Sequence, residues 1–241
     1  MTNLFRMLAP VKWFDWVGTK KNKINSDKRT QLTGDQLRAL YFRACFIVVP
    51  LDCISVWFAN RTVDPMEQTL TWQSFMVEYA YFIPKSLVFE VVFDLFHYAT
   101  HWMCHRISWL YVNSHKRHHI HRFPCPLSTY EQDGLDVCLT NVLPFCLSWF
   151  LCFFSFSNLQ LHLLLAYKSY VEVAGHSGLD VKGFSFPQMP LLNNLTSICS
   201  RVHDHEVHHT YPRWNFAKRF SLWDKVFCTF RPGESHIESS I

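Results

Sequence analysis

The sequence predicts an all-α integral membrane protein: two spans, a helical hairpin, and a cytosolic cap of histidine-rich helices. Three observations lead there. Hydrophobic residues make up 49% and charged residues 17%, with 22 Phe against 7 Gly, a balance unlike an average soluble domain. The apolar residues gather into stretches of membrane length. Between and after those stretches lie polar blocks that hold most of the 14 histidines.

A chain of 241 residues is long enough for one compact core. It divides into a cytosolic tail, 1–38, and a single membrane-bound domain, 39–241. The tail carries the densest basic run, Lys20, Lys21, Lys23, Lys28 and Arg29, which reads equally as a solvated tail or as the cytoplasmic flank of a span. The first 30 residues lack the order of basic start, apolar stretch and small-residue cleavage site that a secretory signal needs, so insertion falls to internal spans.

The first span covers 39–60, long enough to cross about 30 Å of hydrocarbon, with Arg43 and Asp52 inside it and a kink expected at Pro50. The second, 75–96, carries Glu78, Lys85, Glu90 and Asp94, which should face protein or water rather than lipid. It runs straight into histidines. The third region, 136–175, is nearly charge-free at first, breaks at Ser157 and Asn158, and reads as a hairpin that returns to the side it left. Two spans and a hairpin put the tail, 97–135 and 176–241 on one face, and the positive-inside bias makes that face cytoplasmic.

The formal charge of +4 comes without a basic stripe interleaved with aromatics, so nucleic acid is not an expected partner. Nine scattered cysteines, none in C-x-x-C spacing, argue against a disulfide framework or zinc ribbon and for a reducing compartment. Trp109, Tyr130, Phe150 and Trp214 read first as membrane-belt or core aromatics and second as the wall of a lipid path.

Seven histidines lie between 97 and 121 and four between 203 and 209. His101 and His105 are four apart, on one helical face. His97 extends that stripe by a turn. His115, His118 and His119 (HKRHH) have offsets of three and four, and His205, His208 and His209 (HEVHH) repeat them. Two copies of H-x-x-H-H with an H-x-x-x-H point jointly to metal.

HEVHH also spells H-E-x-x-H, the zinc-peptidase pattern with Glu206 as base. A catalytic zinc takes three protein ligands and a water, so eight or more clustered histidines exceed one zinc and suit two metal ions, iron as readily as zinc. The peptidase would leave HKRHH and the first box without a task. A metal-handling scaffold that lost its chemistry would show broken boxes, and here all three are intact.

HWMCH, WLYVNSHKRHH, GHSGLD and HEVHHTYPRWNFAKRFSLWDKVFCTFRP, in that order, resemble the membrane-bound fatty acid hydroxylase and sterol desaturase superfamily, most clearly over 90–232. The 14-residue step from His101 to His115 and NFAKRFSLWDKVF are most similar to its cholesterol 25-hydroxylase and sterol C-4 methyl oxidase branches. Trp102 after the first histidine, and Cys228 where the pattern has Gly, are departures.

The resemblance implies a non-haem di-iron oxygenase of the endoplasmic reticulum membrane with its active site on the cytosolic side. It would hydroxylate, desaturate or oxidise a methyl group of a lipid, a sterol first and a fatty acyl chain as the alternative. It would use O2 and electrons from NAD(P)H through a cytochrome b5-type donor or a reductase, and take substrate laterally from the membrane. The implied ligands to two Fe ions are His101, His105, His115, His118, His119, His176, His205, His208 and His209. His97, Asp94 and Asp224 stand as supporting residues or an extra ligand. Asp94 would accept a hydrogen bond from a ligand imidazole, and Trp223 and Asp224 would cap the metal-bearing turn.

Overall fold

Thr33 begins the first helix, its hydroxyl meeting the amide of Gln36 while the Gln36 side chain meets the amide of Thr33. The structure is a computed structural model describing residues 31–63, 71–179, 185–189, 191–192 and 196–233. The lysine-rich run of the tail, Asp180 and His236 lie outside the described residues.

Helix α1 spans Gly34–Asn60, 27 residues, about 40 Å at 1.5 Å per residue. Pro50 is accommodated by a widened π-turn, Ala44–Val48, directly before it. Proline cannot donate to the carbonyl four residues back and its ring crowds that carbonyl, so the wider turn makes room. Both charged residues of α1's membrane segment pair with protein: Arg43 with Asp133 at 2.9 Å and Asp52 with Lys168 at 3.2 Å.

Helix α2, Trp72–Arg106, runs for 35 residues with Pro84 inside it. The expected second span is thus the lower part of a helix that continues through the first histidine box. Its four charged residues turn inward. Glu78 accepts from Ser157 Oγ, Lys85 donates to Ser155 O, Glu90 pairs with Arg219 and Asp94 accepts backbone amides.

Past a break at Ile107 comes α3, Ser108–Leu110, which runs on as the π-turn Tyr111–His115. Short 3-10 turns follow at His118–Ile120 and Pro126–Tyr130. Helix α4, Gly134–Leu151, repeats the α1 device, with a π-turn at Cys138–Val142 ahead of Pro144. Pro144 has no N–H for the Thr140 carbonyl, and that carbonyl accepts from His97 Nδ1 at 2.7 Å. Helix α5, Asn158–Gly175, starts at Ser157 with the same cap chemistry as α1 and ends at His176. Helices α6, Val202–Thr210, and α7, Leu222–Val226, complete the chain. No strand occurs among the described residues, and Cys199 and Phe220 make an isolated antiparallel bridge.

The fold is therefore all-helical, and two of its helices, α1 and α4, are long and apolar enough to cross a membrane. Neither the 75–96 segment nor the second hairpin arm, α5, is among them, because both carry polar side chains that bind other helices. Helix α4 meets His97 at Thr140, and α5 ends at His176.

Phenylalanines hold the lower part together. Phe89 is buried, with Phe145 at 5.3 Å and Phe156 at 5.8 Å, both edge-on, the geometry aromatic quadrupoles prefer. Phe82, Phe93, Leu161 and Leu164 complete this core. Phe150, by contrast, is 79% exposed on apolar α4, as a belt aromatic would be.

Candidate metal centre

The ends of α2 and α5, helix α6, the π-turn that follows α3 and the 3-10 turn His118–Ile120 bring nine histidines together in two groups. One holds His101, His105, His115, His119 and His208, and the other His118, His176, His205 and His209. Within each group the ligating atoms lie within 4.8 Å of one another. The two H-x-x-H-H motifs are used reciprocally. His115 and His119 enter the first group and His118 the second, whereas His205 and His209 enter the second and His208 the first. Each motif sends its residues four apart to one site and the residue between them to the other, so the two turns interlock.

The Nε2 atoms converge. His101 and His115 approach to 2.9 Å, His115 and His119 to 3.0 Å, His119 and His208 to 3.2 Å, and His176 and His205 to 3.2 Å. Several Nδ1 atoms face acceptors, so there they must carry the proton. His101 donates to Phe216 O, His208 to Trp214 O and His115 to Asp136 Oδ1, each at 2.7 Å, and His176 donates to Glu172 O at 3.0 Å. Their Nε2 lone pairs then point at one another in a buried space. Only a cation makes that arrangement favourable, and imidazole-rich sets of this kind suit iron or zinc.

Burial and neighbouring imidazoles hold His101, His105, His118, His119, His205 and His209 well below the ordinary histidine value. Burial takes His208 to about 3. All are neutral near pH 7, the form that ligates. Between the groups lies a polar cavity with room for about one water, lined by residues of both groups together with His97, Gln132, Thr140 and Lys218.

His97 belongs to neither group; its Nδ1 is bound to Thr140 and its ring packs 5.2 Å from that of His101. His121, His162 and His203 also stand outside both groups. Glu206 is buried on α6 and is not a member of either. The outer pair of HEVHH, His205 and His209, already shares its group with His118 and His176. That fills four positions where a zinc peptidase needs one open.

Asp94 does not meet an imidazole. It accepts the amides of Lys218, Arg219 and Phe220 at 2.7, 2.8 and 2.9 Å, because seven residues along α2 place it about 10 Å below His101. Asp224 takes the next two amides, Phe216 and Ala217, each at 2.8 Å, together with Thr229 Oγ1. Two carboxylates thus clasp five consecutive amides of the 216–220 loop, and the carbonyls of Trp214, just before it, and Phe216, its first residue, turn to His208 and His101. Asn215, in the left-handed region at φ 58°, bridges the Asp204 carbonyl and Arg231, a conformation Asn tolerates. Trp223 docks α7 on α2 by donating to Val91 O.

The carboxylate that does hold a histidine is Asp136, fully buried, with its second oxygen taken by Gln132 Nε2 at 3.1 Å. It lies 21 residues beyond His115, outside every histidine spacing. The available signal was an ionisable residue at the head of an apolar run.

The model of the family described as fatty acid hydroxylase matches residues 86–229. A zebrafish protein named cholesterol 25-hydroxylase-like protein 1, member 2 is 31% identical over 220 residues, covering 89% of this chain and 72% of that protein. Rat methylsterol monooxygenase 1 is 25% identical over 87% of this chain and 67% of its own length. Human cholesterol 25-hydroxylase is 27% identical over 58% of this chain and 49% of its own length. No solved structure matches the chain. The relatives are named as hydroxylases and a monooxygenase, and the family match spans the residues that build both histidine groups, from α2 to α7. This chain belongs to the fatty acid hydroxylase family.

Proposed function

We propose that the chain is a membrane-bound di-iron oxygenase of the endoplasmic reticulum that oxidises an unactivated C–H bond of a sterol. The observation that carries this is the pair of interlocked imidazole groups, five and four, around a shared polar cavity. Sterol is favoured over fatty acyl substrate because the names of matched relatives include cholesterol and methylsterol. The two irons would supply activation of O2, chemistry that acid–base side chains lack.

The protein's part is positioning. His101, His115 and His208 present Nε2 with Nδ1 tied down, which fixes tautomer and ring orientation. The cavity between the groups has room for about one water. Substrate would come from the bilayer, and electrons from NAD(P)H through a cytochrome b5-type donor or a reductase. The histidines would lie on the cytosolic side, the side that the positive-inside bias assigns to the lysine-rich tail.

The test is the metal content of purified protein followed by O2-dependent conversion of sterols, with lipid profiles of cells lacking the chain naming the substrate. Two irons per chain and an oxidised sterol are expected. A single zinc with peptidase activity sinks the proposal.

A further inference from the structure

Among the described residues exposed charge is one-sided. Among the described residues the one exposed carboxylate is Asp35, ion-paired to Arg38 at the start of α1. Residues 97–123 contain no Asp or Glu, and 207–233 contain only Asp224, which is buried in its clasp. From those two segments Arg106, Lys116, Arg122, Arg213, Lys225 and Arg231 are all exposed, and none is ion-paired to a described carboxylate.

Both segments end around the five-histidine group. His119 and His208 touch at Nε2, and from them the chain leads outward to Arg122 on one side and Arg213 on the other. Exposed aromatics are interleaved: Trp102 under Arg106, Tyr211 under Arg231, and Trp109, 64% exposed. Tyr111, half-buried beside Trp109, has its ring 5.6 Å from His105 and 6.5 Å from His119, and those two are the less deeply buried members of their group. Arg106 stands nine residues beyond His97, about 13 Å along α2. His97 meets α4 at Thr140, so the face projects past the start of apolar α4.

We infer that this basic, aromatic face is the docking surface for an acidic one-electron donor protein, with Tyr111 at the point of entry to the five-histidine group. The inference rests on the oxygenase reading. Each turnover places one atom of O2 in the C–H bond and releases the other as water, consuming two electrons and two protons, so a one-electron donor must visit twice. The candidate metal centre is the group that would receive those electrons. A single-sign patch steers an oppositely charged partner and raises its on-rate by about 10- to 1,000-fold at low salt.

The test uses the full chain in phosphatidylcholine nanodiscs and a soluble, acidic cytochrome b5 haem domain as donor. Donor binding is measured first, without turnover, and then reoxidation of the reduced haem. Arg122→Glu with Arg213→Glu should weaken binding and slow reoxidation about 10- to 100-fold at low salt, with the difference shrinking near 0.5 M salt as charges are screened. The Arg122→Gln, Arg213→Gln pair should fall between. A single dithionite-driven turnover, in which the chain is reduced stoichiometrically without oxygen and then mixed with O2, should be the same in all three proteins. Unchanged donor binding and reoxidation in the Glu variant overturn the inference. So does an effect that appears only with phosphatidylserine in the discs, which would assign the face to lipid headgroups. Loss of dithionite-driven turnover in the unaltered chain instead strikes the oxygenase reading, while the binding measurement still decides the docking surface.

Discussion

In the five-histidine group, His101, His115 and His208 are tied at Nδ1 by partners away from their own helices: Phe216 O, Asp136 and Trp214 O. In the four-histidine group His176 is tied to Glu172 O, one turn back on its own helix, while His118 Nδ1, like His119 Nδ1 of the first group, is buried with no partner among the described residues. The same H-x-x-H-H motif serves both. The first group takes its ring orientations from tertiary contacts, the second mainly from helix geometry. The difference implies a first site rigidly prepared for its metal and a second that adapts to it, since outer hydrogen bonds are worth about 10- to 100-fold in metal affinity.

The largest effects come from removing one ligand on each side. His208→Ala should empty the five-histidine site and His118→Ala the four-histidine site, each leaving about one metal per chain by elemental analysis and each ending product formation. Retained activity in His118→Ala would break the comparison, for one site would then suffice. Next in size is Asp136→Asn, which keeps the shape and removes the charge that holds His115. Metal titration should show one site weakened about 10- to 100-fold and the other unchanged. Equal weakening of both would mean that the groups are one unit.

Asp224→Ala frees the Phe216 and Ala217 amides, and with them the carbonyls that face His101 and His208. Loss of these charge-assisted bonds should cost about 1.5 to 3 kcal/mol in denaturant unfolding, with the remaining metal defect confined to the five-histidine site. The smallest effect is expected at Cys228, whose φ is 56°. A Cβ in that region costs about 1 kcal/mol, so Cys228→Gly should raise the melting temperature without altering metal content. The glycine expected there from the family pattern is thereby explained.

Eight of the nine grouped histidines were legible because helical period places residues three and four apart on one face, while His176 came only from the family resemblance. The inward turn of Glu78, Lys85, Glu90 and Asp94 followed from an equally local rule, the cost of charge facing lipid. Asp94's partner was not legible. A carboxylate two turns from a histidine can face any neighbour, and here it met a loop 124 to 126 residues away. The spans were read in part: apolar length located α1 and the first hairpin arm, α4, while 75–96 became the lower part of a longer helix.

The sequence by itself determined the all-helical class, the membrane-length helices α1 and α4, and which imidazoles share a helical face, since each depends on spacing within one element. The tertiary structure decided how the two H-x-x-H-H turns interlock, that Asp136 rather than Asp94 holds a histidine, and that two acids clasp one loop. Those outcomes join residues far apart in the chain, and no local period encodes which distant partner a buried polar group will find.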